Sequence, residues 1–167
     1  MAVGTADAVA REAAWLAAYN PGDGLPALSS DLGGPFDVLQ PYWPRTAATR
    51  KNQLYVTRRA IQVERFGFSR KIIHYPFVLR IVWPLSSNSG DAESVEQALD
   101  NAIDLVLQRI SGPLTLPLDK THGARFLSVA EDPCRIDVDI TDAEQAIGQG
   151  SFGASISYVA DDRDFLS

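Results

Sequence analysis

The stretch that decides the fold spans residues 72–83 and reads Ile72-Ile73-His74-Tyr75-Pro76-Phe77-Val78-Leu79-Arg80-Ile81-Val82-Trp83. Large apolar side chains occupy every second position, namely Ile73, Tyr75, Phe77, Leu79, Ile81 and Trp83. A period of two predicts a β-strand with one buried face. Pro76 cannot donate a hydrogen bond to a neighbouring strand, so this part of the strand is predicted to be an edge or bulged.

The residues just before this stretch predict its partner strand. Residues 53–65 also alternate, with Tyr55, Thr57, Arg59, Ile61 and Val63 on one side. Gly67 and Ser69 then fall in or near the turn, which gives a long antiparallel hairpin. A long hairpin with an unpaired edge either aggregates, is covered, or pairs with another chain. The hairpin is therefore interpreted as a docking edge for another polypeptide.

Segments predicted to be helical lie before and after the hairpin in the sequence. Apolar residues recur at spacings of three and four from Val95 to Ile110, and Gly112-Pro113 ends that period, which predicts a helix lying across the apolar face of the hairpin. Residues 6–19 predict an N-terminal helix capped by Thr5, and the capping box from Thr141 to Glu144 predicts a short helix ending near Gly148. Further strands are predicted at residues 125–130, 134–140 and 153–160, followed by an acidic tail. The fold class is α+β in one domain, residues 1–167, with a mostly antiparallel sheet.

Residues 20–46 form a segment rich in proline and glycine that lacks any regular period. It nevertheless carries many large apolar side chains, which a flexible linker would not. A connection of this length in a compact domain is often functional. We predict an ordered arm that packs either on its own sheet or on a neighbouring subunit, and the sequence favours neither alternative.

Composition restricts the class of protein. The 167 residues are 46% hydrophobic and 22% charged, which is typical of a globular protein. No apolar run approaches the ~20 residues that cross a bilayer, and residues 1–10 lack the pattern of a secretory signal. The single cysteine, Cys134, is compatible with a reducing cytoplasm. The expectation is a protein made in a cytoplasm, with no membrane partner.

The residues that could carry chemistry are few. His74 and His122 are the only histidines, and both are interpreted as surface imidazoles. Asp137 and Asp139 share one face of a predicted strand, but nothing nearby supplies further metal ligands. Cys134 alternates with apolar residues and is interpreted as a core residue. The glycine-rich residues 148–153 follow a helix, whereas a phosphate-binding loop precedes one. No catalytic, cofactor or metal site is predicted, and the chain is not expected to be an enzyme.

Charge is distributed in blocks. The net charge of −6 divides into −4 for residues 1–44, +8 for residues 45–80 and −10 for residues 91–167. The basic and acidic blocks could pair within one molecule, or the basic face of one copy could meet the acidic face of the next. The predicted interface cations are Arg58, Arg59, Arg65, Arg70 and Lys71, and the predicted anions are Asp137, Asp139, Asp161 and Asp162.

The order of elements resembles the tail-terminator proteins of bacteriophages with long non-contractile tails. The resemblance covers residues 53–160. It rests on the arginine-rich hairpin entering residues 74–83, the helix from Val95 to Ile110, the stretch Arg125-Phe126-Leu127-Ser128-Val129-Ala130, and the closing Phe152-Gly153-Ala154-Ser155-Ile156-Ser157-Tyr158. The arm at residues 20–46 departs from the family pattern.

The resemblance implies a structural virion protein of the tail or neck. Such a subunit forms a homo-hexameric ring that caps the finished tail tube, binds the tube protein, and presents a surface to the head-side connector or stopper protein. DNA would pass through the lumen without specific binding. Members of that family have no catalytic residues and no cofactor, so none is carried over. The alternatives are another head–tail connector or head-completion component and, less favoured, a small-ligand-binding or enzymatic α+β domain.

Overall fold

The alternating stretch around Phe77 forms the centre of the sheet. The structure is a computed structural model that describes residues 5–19, 24–45, 51–65, 67, 70–85, 92–111, 128–129 and 135–165. Its elements in chain order are α1 (Thr5–Ala17), β1 (Val38–Pro41), β2 (Gln53–Arg58), β3 (Gln62–Arg65), β4 (Arg70–Pro84), α2 (Ala92–Ser111), β5 (Ser128–Val129), β6 (Asp137–Ile140), α3 (Ala143–Gln149) and β7 (Ser151–Phe165).

The seven strands form one mixed sheet. Its order is β1-β2-β4-β7-β5, with β3 also pairing with β4 and β6 also pairing with β7. Only the pair of β1 and β2 is parallel among the described strands. The predicted α+β class, with a mostly antiparallel sheet and a long hairpin, is confirmed.

A bulge divides the first strand of the hairpin. Arg58 pairs with Phe77 and Gln62 pairs with His74, so three residues on one side oppose two on the other. The N–H of Arg59 donates to the carbonyl oxygen of Pro76 at 2.8 Å. One extra residue on a strand is the definition of a β-bulge. The register therefore places a bulge opposite Pro76, in the partner strand and not in the strand that carries Pro76, and the single strand predicted over residues 53–65 is wrong.

Strand β4 is central, not an edge. Strand β7 pairs with it from Arg70 to Pro84 on the side opposite β2 and β3. The pairing extends through residues 161–165, so the predicted acidic tail is wrong: those residues continue β7. The part of the hairpin that no described strand covers is therefore the outer side of β3 and the bulge before it, and its role as a docking edge stays a prediction.

The core lies between the helices and one face of the sheet. The same face of β4 carries buried Phe77 and Leu79, and α1 and α2 contribute Leu16 and Leu99 to the same apolar cluster. Burial of this face offers the main stabilisation, since apolar area removed from water is worth roughly 25 cal/mol per Å². The helix predicted over Val95 to Ile110 thus shares one apolar cluster with the hairpin.

The arm packs on its own sheet. Leu25, Leu28 and Phe36 are buried, and the ring of Phe36 meets that of Trp83 edge-on at 5.8 Å. The arm then runs into β1, which extends the sheet beside β2. Of the two alternatives left open for this segment, packing on its own domain holds for the described residues 24–45.

The region after α2 differs from the prediction in several places. Strand β6 begins at Asp137 and not at 134, and all four of its residues are exposed. Cys134 and His122, and most of the strand predicted at 125–130, lie outside the described residues; that strand is described only at Ser128–Val129. The N-cap of α3 is Asp142, whose carboxylate accepts from the Gln145 N–H at 2.8 Å. The capping box with Thr141 as the cap is wrong by one residue.

Candidate functional site

The face of the sheet opposite the helices is the first candidate surface. Arg80, Val82 and Ser155 alternate with core residues along β4 and β7 and are half-buried. A concavity of about 380 Å³ opens on this side. Its lining includes Trp43, Arg80, Asp139, Thr141, Gln149 and Ser155. Its lining combines a cation, Arg80, and a carboxylate, Asp139, with the hydroxyl groups of threonine and serine side chains.

Trp43 borders this concavity at the end of the arm. Its ring lies 5.1 Å from that of Tyr55, which is buried, while Trp43 itself is 51% exposed. Tyr42, just before it, has a φ of 64°, and its N–H donates to the carbonyl oxygen of Val56 at 2.8 Å. A bulky residue with positive φ is uncommon and strained. The strained turn directs the chain so that Trp43 covers Tyr55.

The second candidate surface is basic and lies at one lateral edge of the sheet. Arg58 and Arg59 are exposed at the bulge, beyond the last residue of β2 that pairs with β1. Arg65 is also exposed, and its Nε donates to the carbonyl oxygen of Gly67 at 3.0 Å. Three of the predicted interface cations thus lie along β3 and the bulge that precedes it.

The other two predicted cations are placed differently. Arg70 and Lys71 begin β4, and the backbone register sets Lys71 opposite Asp164 and Ile73 opposite Asp162. Asp161 stands opposite His74 in the same register. The basic start of β4 and the acidic end of β7 are therefore neighbours within one chain. This adjacency is one of backbone register, and both alternatives for the pairing of the charge blocks stay predictions.

The third candidate surface is acidic and lies at the opposite lateral edge. Asp137 and Asp139 belong to β6, which pairs with β7 on its inner side. Asp137 accepts from the Nε of Arg135 at 3.0 Å, and both side chains are exposed. Within the described part of the chain, no strand pairs with the outer side of β6. Asp137 and Asp139 thus remain available to another molecule.

The two charged edges are separated by the width of the sheet. Thr57, Val78, Ser157 and Asp137 occupy one row across β2, β4, β7 and β6. Strands lie about 4.8 Å apart, so the row is roughly 14 Å long from Thr57 to Asp137. Arg58 and Asp137 therefore cannot form a direct contact within one molecule. The sequence could not show this separation, because the alternation within each strand does not reveal the distance between the strands.

Sequence reasoning missed two residues of these surfaces. Sequence alone places Arg80 in an alternating strand of the basic block and Trp43 among the apolar residues of the arm, and it predicts a role for neither. The signal for Arg80 was present, because it is the one arginine or lysine between residues 72 and 90. His74, interpreted as a surface imidazole, is half-buried and lies 3.3 Å from the carboxylate of Glu64.

The described residues contain no group of three or more His, Cys, Asp or Glu side chains arranged to hold a metal ion. Among the same residues, no helix has the length and apolar character that a membrane span requires. No protein-family model matches the chain. No curated protein matches its sequence either.

Proposed function

We propose that the chain is a structural subunit of a bacteriophage neck that assembles into a ring, caps the end of the tail tube and joins the tail to the head. The observation that carries this proposal is the placement of opposite charges at opposite lateral edges of one sheet. Arg58 and Arg59 lie at one edge and Asp137 and Asp139 at the other. The resemblance of residues 53–160 to tail terminators supplies the specific role.

Opposite edges of opposite charge favour a head-to-tail contact. In such a heterologous interface two different patches meet, and repetition of the contact closes into a ring when the rotation allows it. A two-fold dimer would instead bring each patch against itself, and like charges placed together cost several kcal/mol by the usual magnitude. The charge distribution therefore supports a ring over a symmetric pair.

A second candidate of the same class is another head–tail connector or a head-completion protein. The same charged edges support it, since they determine how copies meet and not what the ring binds. Mixing purified protein with tail tubes and imaging by negative stain separates the two. A tail terminator binds the ends of the tubes, and protein that leaves tube ends bare contradicts the terminator role.

The charged edge is tested by reversing Arg58 and Arg59 to glutamate. The double variant should lose binding to tube ends, because its basic edge would then repel the acidic edge of the next copy. Reversal of Arg45 and Lys51, two other exposed cations, changes the net charge equally and should leave binding intact. Circular dichroism of both variants should match the unaltered chain. Equal binding by the two variants would contradict the role of this edge.

A further inference from the structure

We infer that successive copies of this chain join by strand addition, with β3 of one copy pairing along β6 of the next to make a continuous sheet. The inference rests on the proposed ring and names the contact that would build it. Strands β3 and β6 have the same length and lie at opposite lateral edges of the sheet. Every residue of both strands is exposed, unlike those of β1 or β2.

The backbone of β6 has hydrogen-bonding groups directed outward. The N–H of Thr141 donates to the carbonyl oxygen of Gly153 at 2.8 Å, just after Ile140 pairs with Ala154. Hydrogen-bonding residues alternate along an antiparallel strand. The N–H groups of Val138 and Ile140 therefore face away from β7. An outward row of donors and acceptors is a template for another strand.

The apolar residues of the two edges lie on matching faces. Val63 pairs with Ile73 of the core face, and Val138 pairs with Ile156 of the same face. Val63 is 59% exposed, Val138 38% and Ile140 41%. If β3 adds to β6, these β-branched side chains become cross-strand neighbours on one face. Such pairs stabilise a sheet by roughly 0.2–1 kcal/mol each.

Net charge favours β3 over a second β6 edge as the partner of β6, because β3 carries one arginine and one glutamate and follows two arginines, whereas β6 carries two aspartates and no cation. Arg59 lies three residues before the start of β3 and is exposed. Asp137 and Asp139 alternate with the apolar residues of β6 and lie on the same face of the sheet as Glu64. The single carboxylate of β3, Glu64, lies 3.3 Å from His74 in its own chain. Pairing two β6 edges would instead oppose carboxylates to carboxylates, which destabilises a sheet. A second copy offering its β3 edge is therefore the occupant that fits β6.

Substitution of Val138 by proline tests the inference. Proline removes the outward N–H of Val138 but leaves the bonds from β6 to β7, and proline is tolerated on edge strands. The matched control is Val138→Thr, which keeps the N–H and the β-branched shape. Self-association measured by sedimentation should weaken at least about fivefold for Val138→Pro, since the acceptor that it leaves unsatisfied on the partner strand costs about 1–3 kcal/mol. Val138→Thr should associate within a factor of about three of the unaltered chain by the same scale.

Hydrogen exchange of the unaltered chain gives a test that needs no variant. As protein concentration rises, the amides of Val138 and Ile140 should exchange at least tenfold more slowly, together with amides of β3. Association without this protection, equal association of Val138→Pro, or a monomer at every concentration would each overturn strand addition. Bare tube ends with protected β6 amides would overturn the terminator role alone, and tube-end binding by Val138→Pro would overturn strand addition alone.

Discussion

The guanidinium of Arg109 lies 4.6 Å from the centroid of the Trp15 ring, and this contact joins α2 to α1. Its Nη2 donates to the carbonyl oxygens of Trp15 at 2.5 Å and Ala18 at 2.7 Å, and its Nη1 donates to that of Pro26 at 2.9 Å. Arg109 is only 2% exposed. A cation at the end of a helix is stabilised by the carbonyls that the helix leaves unpaired. One side chain thus anchors α1 and the arm to the core.

Replacement of Arg109 by methionine should destabilise the fold. Three carbonyl oxygens would lose their donor, that of Trp15 in a buried bond and those of Ala18 and Pro26 in part-buried bonds, and an unsatisfied buried group costs about 1–3 kcal/mol. We expect a loss of roughly 2–5 kcal/mol in the free energy of unfolding, measured by urea denaturation. Arg135→Met is the matched control, because that side chain is 82% exposed, and it should change stability by less than about 0.5 kcal/mol. A similar loss for both variants would contradict the anchoring role.

Gly34 lies where the arm packs closely against its own backbone. Its N–H donates to the carbonyl oxygen of Ser29 at 2.7 Å, and a β-carbon at this position would overlap the backbone of Leu28. Gly34→Ala should therefore destabilise the fold by about 1–3 kcal/mol, as other overpacking changes do. Gly148→Ala is the control: α3 leaves open space there, and alanine should stabilise the helix by about 0.5–1 kcal/mol. Thermal unfolding of the two variants should shift in opposite directions.

The fold was predictable where side-chain alternation and burial coincide. Strand β4 and helix α2 were both predicted within three residues of their ends. The break between β2 and β3 was not, because one extra residue opposite Pro76 reverses the faces of the strand while the alternation in the sequence continues. Tyr55 pairs with Arg80 on the open face, whereas Val63 pairs with Ile73 on the core face. Sequence alone placed Tyr55 and Val63 together.

The candidate surfaces were predictable in residue type but not in position. The charge blocks identified Arg58, Arg59, Asp137 and Asp139, all of which the structure places at lateral edges. The same reasoning predicts an acidic tail over residues 161–167, whereas residues 161–165 belong to β7, because composition does not reveal a strand partner. Opposite charges stabilise neighbouring strands. The basic start of β4 and the acidic end of β7 become adjacent only through pairing distant in sequence.

Tyr55 should make stability depend on pH at the alkaline end. Burial raises the pKa of its hydroxyl above the ordinary value of 10.0, and the hydroxyl donates to Oε1 of Gln53. Because the folded-state pKa is the higher one, the contribution is fully present below pH 10 and is lost as the pH rises through the folded-state pKa. Urea unfolding between about pH 9 and 11.5 should show a steeper decline for the unaltered chain than for Tyr55→Phe. Parallel curves would contradict ionisation of this hydroxyl as a cause.

Two variants with opposite charge reversals at the two edges should assemble only when they are mixed. One variant carries Arg58→Glu and Arg59→Glu, and the other carries Asp137→Arg and Asp139→Arg. Each alone should fail to associate, because its two edges then have charges of the same sign. In an equal mixture, each changed edge meets a complementary partner, so the mixture should assemble into rings with an even number of subunits. Native mass measurement of the separate and mixed variants tests this.

The matched control replaces Asp100 and Asp104, exposed on α2, with arginine, and it should not restore association to the first variant. Association of either edge variant alone would mean that these four residues do not meet across the subunit contact.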